Sequence, residues 1–123
     1  MNLETCYQML GGDYRDVMSR LIREQTVQRF LFKFLEDKSC QELLFAMEAG
    51  DFETAFRAAH TVKGICQNLS FTQLYHSSYR LTEALRGQHY PEAAALLHAF
   101  SLDYSQTVDA ILSYKHALED DVQ

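Results

Sequence analysis

His60, Lys63 and Gly64 stand together in the stretch Ala59-His60-Thr61-Val62-Lys63-Gly64. Residues three and four apart share one face of a helix, so a helix here would set an imidazole, an ammonium and a bare backbone position side by side. A neutral imidazole is a nucleophile, and a neighbouring ammonium stabilises an anion placed on it. Glycine inside a helix costs ~1 kcal/mol relative to alanine. Close approach of another molecule's backbone to the histidine would offset that cost. These three residue types at this spacing point to a histidine that carries a phosphoryl group. An unperturbed imidazole titrates near ~6.5, so such a ring is largely neutral at neutral pH. Between Thr54 and Thr72 the only formal charges are Arg57 and Lys63, and a phosphohistidine there would meet little repulsion.

The element that must present this group is a helix from Asp51 to Leu69. Phe52, Ala55, Ala59, Val62, Cys66 and Leu69 recur at alternating steps of three and four, the stripe a bundle helix buries. His60, Lys63, Gly64 and Gln67 fall together away from that stripe. The histidine is therefore expected to point outward, with Gln67 as a second polar neighbour.

The other elements follow from the same patterning. A short helix is expected over Leu3 to Leu10, stopped by Gly11-Gly12, with Asp13 capping the next. That next helix is read as one piece from Tyr14 to Leu35, with Val27 or Gln28 turned inward in its polar middle. Ser39 is read as the cap of a helix running to Ala49, Gly50 as its left-handed end and Asp51 as the following N-cap. Phe71, Leu74, Ser78, Leu81 and Leu85 mark a further helix ended by Gly87. Pro91 suits the first turn of the last helix, which carries Ala93, Leu97, Phe100, Tyr104, Val108, Ile111 and Leu118. Short connections between amphipathic helices predict an all-α fold: an up-down four-helix bundle with an additional short N-terminal helix.

Composition narrows the function. The 123 residues fit a single domain spanning 1–123, and 47% hydrophobic with 23% charged residues is typical of a folded globular chain. One proline and five glycines argue against an all-β fold. The net charge of −6 with no basic stripe excludes nucleic acid as the expected partner. No apolar run approaches the ~18 residues of a membrane span, and Met1 to Leu10 lacks the pattern of a secretory signal. Cys6, Cys40 and Cys66 form no C-x-x-C pair, which suits a reduced, cytoplasmic setting, with Cys66 in the core. His60, His76, His89, His98 and His116 include no pair at helical spacing, so no metal site is expected. With neither a P-loop nor a kinase-like glycine loop, the chain is expected to bind no ATP and no cofactor. It would act as a carrier rather than an enzyme. The tyrosines Tyr75, Tyr79, Tyr104 and Tyr114 read as packing residues. Glu119, Asp120 and Asp121 form an acidic tail, expected of a free-standing chain rather than a piece of a larger kinase.

The stretch AAHTVKGICQNLSF resembles the active-site helix of histidine phosphotransfer (HPt) domains, and GGDYRDVMSRL, AMEAGDFETAFRAAHTVKG and RLTEALRGQ resemble further segments of that family in the same order. The resemblance implies that the outer ring nitrogen of His60 is the phosphoryl acceptor. It implies that Lys63 stabilises the phosphoryl oxygens and that Gly64 leaves room for them. It also implies a bundle that docks a response-regulator receiver domain and a histidine kinase beside the histidine, with Mg²⁺ on the receiver. The carrier would be monomeric. Two departures stand out: Ser70 where the family often has glycine, and Thr82 where many members have a glutamine near the histidine. Leu3, Met9, Tyr14 and Met18 are expected to give an apolar docking patch near His60. The alternative reading is an HPt-like helical scaffold that binds a receiver without phosphotransfer.

Overall fold

The computed structural model describes residues 1–122, with Val122 described in its backbone only. Seven helices account for nearly all of the described chain: α1 (Leu3–Leu10), α2 (Tyr14–Leu21), α3 (Glu24–Glu36), α4 (Ser39–Ala49), α5 (Phe52–Leu69), α6 (Thr72–Arg86) and α7 (Tyr90–Val122). Helices α4 to α7 follow one another up and down, and α4 touches α7 to close the ring. The 33-residue α7 runs on beyond that bundle, where it packs against α1 and α3. There Gln106 donates to the Met9 carbonyl (2.7 Å) and the Tyr114 hydroxyl to Gln28 Oε1 (3.3 Å). The long last helix thus serves two layers, which explains why its apolar positions continue well past Phe100.

Local chemistry sets most of the helix ends. Asn2, Asp13 and Asp51 each accept a backbone N–H three residues on, satisfying donors that a helix start leaves orphaned. Gly11 (φ 75°) and Gly50 (φ 72°) take the left-handed conformation that ends α1 and α4. Pro91 sits in the first turn of α7, as its missing N–H allows.

Two boundaries differ from the sequence expectation. The helix read as one piece from Tyr14 to Leu35 is two, α2 and α3, broken at Ile22, whose φ is 70°. No glycine or proline marks the break. The tertiary contacts impose it: Arg20 is tied to the end of α5, while Val27, Leu31 and Phe34 of α3 are buried in the core. Of the two inward candidates in α3, Val27 is buried and Gln28 half-buried. Ser39 is the first helical residue of α4 instead of its cap, and Asp37 Oδ1 accepts its N–H at 2.8 Å.

The core is continuous from Leu3, Tyr7 and Leu10 through Leu43, Val62 and Leu81 to Phe100 and Ile111. Every polar side-chain atom buried in it has a partner among the described residues. Cys66 is fully buried, as its place in the stripe requires. Burial pushes the thiols of Cys6 and Cys40 up to about 12 and that of Cys66 well above its ordinary value, leaving all three as small hydrophobes.

Candidate functional site

Helix α5 is built as a presenting element. Ala55, Ala59, Val62, Cys66 and Leu69 are buried, so five points of its inner stripe fix its rotation about its own axis. Small residues at 55 and 59 let α5 lie close to its neighbours. The opposite face is thereby pinned outward. His60, Gly64 and Gln67 are exposed and Lys63 is half-buried. The four expected site residues thus lie along one face.

Around His60 the surface is aromatic and cationic. Phe56, one turn earlier, lies near-parallel to the imidazole, with ring centroids 6.2 Å apart and 23° between planes. The guanidinium of Arg86 from α6 sits 5.1 Å over the Phe56 ring. The Lys63 ammonium sits 5.7 Å over the ring of Tyr79, also from α6. Sequence reading missed Phe56 and Arg86 and took Tyr79 for a packing residue. Tyr79 is instead 45% exposed and beneath the lysine. The i−4 spacing of Phe56 from His60 was a usable signal. The two α6 residues gave none, because only antiparallel packing brings them across.

Gly64 is one turn from His60 with open space above it: a Cβ built there would meet nothing within 4 Å. Nothing inside the protein therefore requires glycine at this position. Gln67, one further turn along, lines a surface cavity of about 290 Å³ with Asp16, Ser70 and His76 among its other walls.

The C-terminal end of α5 is anchored hard. Ser70 takes the left-handed conformation (φ 56°), so serine here keeps the turn geometry that glycine would give. The Ser70 hydroxyl donates to Asp16 Oδ2 (2.7 Å) and accepts from Arg20 Nη2 (2.6 Å). Arg20 also donates to the carbonyls of Gln67 (3.0 Å) and Asn68 (2.6 Å) in the last turn of α5, where the Gln67 carbonyl also accepts the Ser70 N–H (3.3 Å). The Tyr7 hydroxyl donates to the Leu69 carbonyl at 2.8 Å. The hydrogen bonds from Arg20 and Ser70 hold the Asp16 carboxyl below its ordinary value.

Thr82 is buried, and its hydroxyl donates to the Ser78 carbonyl at 2.6 Å. It does not take the place of an imidazole-orienting glutamine. The expected apolar patch is also revised. Leu3 is buried against the core, whereas the Met9 side chain is exposed, on a helix that packs chiefly on α7. Tyr14 and Met18 are half-buried. Both N-terminal segments reach the C-terminal end of the His60-bearing helix, α1 through Tyr7 and α2 through Arg20.

The family model for the Hpt domain matches residues 16–120. The chain belongs to the Hpt domain family. That membership assigns it a histidine phosphotransfer role in the phosphorelays of two-component signalling. No curated protein and no solved structure gave a significant match. Among the described residues no helix of this Hpt domain is long and apolar enough to cross a membrane.

Proposed function

We propose that this Hpt domain is a phosphoryl carrier whose acceptor is His60, relaying the group between a histidine kinase and response-regulator receiver domains. One observation carries the reading. The only histidine in α5 stands exposed at mid-helix, with an unfilled glycine position one turn away and a lysine beside it. A glycine that the fold does not need, at a cost of ~1 kcal/mol in a helix, is accounted for by a partner surface pressed against it.

The transfer balances without further groups from this chain. The unprotonated ring nitrogen of His60 attacks the phosphorus of a receiver's aspartyl phosphate. A P–N bond forms as the P–O bond to the aspartate breaks, and the aspartate leaves as a carboxylate. The proton on the other ring nitrogen stays where it is. Lys63 offsets charge on the phosphoryl oxygens, Gly64 leaves them room, and Gln67 lies one turn further along the docking face. The receiver would bring the Mg²⁺. In this reading the chain is a single domain over 1–123, acts as a cytoplasmic monomer, binds no ATP and has no turnover of its own.

The test is incubation with a phosphorylated receiver domain and Mg²⁺, comparing the wild type with His60→Gln. Acid-labile, base-stable label on the wild type alone is the expected result. No label on either protein, with receiver binding still detected, would leave a receiver-binding scaffold as the function.

A further inference from the structure

Lys63, like Lys33 over Phe30 and Lys115 over Phe32, has its ammonium over an aromatic ring, and of the three it is the one a single turn from His60. No carboxylate lies within ion-pair distance of it among the described residues. Its ammonium is instead seated 5.7 Å over the Tyr79 ring. That ring is itself supported: Tyr79 stacks on Tyr75 with centroids 6.1 Å apart and 29° between planes, and Tyr75 packs against the core. Arg86 on the same helix differs. It lies over Phe56 but also pairs with Glu83 at 3.3 Å.

The distinction matters for a cation that must meet a phosphoryl group. A lysine has a flexible four-carbon stem and loses rotamer freedom whenever its ammonium is placed. A carboxylate could hold it, but would neutralise the charge and occupy its donors. An aromatic face attracts the ammonium through its quadrupole and adds no opposing charge.

We infer that Tyr79 is a positioning residue for phosphoryl transfer, holding the Lys63 ammonium beside His60 while leaving its charge uncompensated. The inference rests on the relay reading above and adds an α6 residue to that site. An exposed contact of this type corresponds to about a two- to fivefold change in rate.

The experiment measures transfer from a phosphorylated receiver with Mg²⁺ to the wild type, Tyr79→Phe and Tyr79→Leu, each with Lys63 present and with Lys63→Ala. Leucine keeps apolar bulk and removes the ring; phenylalanine keeps the ring. Tyr79→Phe should transfer near the wild-type rate and Tyr79→Leu about two- to fivefold slower, with the difference vanishing in the Lys63→Ala background. The Lys63 Cε protons should show an upfield ring-current shift in the wild type and Tyr79→Phe that Tyr79→Leu loses. With the wild type labelled, three results would each overturn this inference alone: an unchanged rate in Tyr79→Leu, equal slowing in both variants, or slowing that persists without Lys63. Absence of the ring-current shift in the wild type would do the same. No label on the wild type would overturn the relay reading and this inference with it.

Discussion

Two stretches of this molecule each use a glycine, for opposite reasons. At the junction of α1, α2 and the end of α5, a Cβ on Gly12 would lie 2.7 Å from Leu10 Cδ1 and Tyr7 Cδ2, and 2.8 Å from the Ser70 carbonyl oxygen. On the outer face of α5, a Cβ on Gly64 would meet nothing within 4 Å. The first glycine is demanded by the fold and the second is not. Packing density divides the molecule accordingly, into a junction closed by Tyr7, Asp16, Arg20 and Ser70 and a face left open around His60. The closed junction fixes the helix, and the fixed helix can then hold an exposed side chain at a constant orientation.

Gly12→Ala should destabilise the fold by about 1–3 kcal/mol, the usual range for forcing an extra carbon into packed surroundings. It should appear as a lower urea midpoint at unchanged slope. A midpoint equal to that of the wild type would show that the junction is looser than described.

Gly64→Ala tests the other half and has the opposite sign. It should raise stability by about 0.5–1 kcal/mol, because alanine is the better helix residue and has room. Transfer from a phosphorylated receiver should fall roughly ten- to a hundredfold as the partner is held off. A variant both more stable and equally active would remove the argument that this position is reserved for a partner.

The smallest effect is electrostatic. The carboxyl of Asp16 has a pKa held below its ordinary 3.8, first by the hydrogen bond from Arg20 and then by that from Ser70. A group depressed in the folded state stabilises above its unfolded pKa and loses that contribution as pH falls through the folded value. Stability of the wild type should therefore decline below about pH 4 by slightly more than that of Asp16→Asn, in urea titrations run from pH 6 to pH 2.5. Because this carboxylate is exposed, the difference should be small and should shrink further in high salt.

Much of the site was legible along the chain because a helix is a local object. The stripe from Phe52 to Leu69 set the phase of α5, and that phase alone put His60, Lys63, Gly64 and Gln67 on the outer face. Gly11, Asp13, Gly50 and Asp51 marked helix ends through short-range geometry. The break at Ile22 was not legible. A β-branched residue at φ 70° is locally unfavourable, so no propensity signals it. The conformation is held by Arg20 on one side and the buried residues of α3 on the other. Leu3 was misplaced for a related reason: an apolar residue near a terminus reads the same whether it covers a partner site or fills the core.

The sequence by itself determined the all-α class, the helix that bears the histidine and the face on which it stands, since each depends on spacing within a few turns. Tertiary structure decided what surrounds that face. Tyr79 and Arg86 come from α6, 16 and 30 residues along the chain from Lys63 and Phe56, and only antiparallel packing sets that ring and that charge against them. Arg20 reaches the end of α5 across a still longer separation. Contacts of this kind depend on how helices dock, and docking is set by the whole core at once rather than by any one stretch of residues.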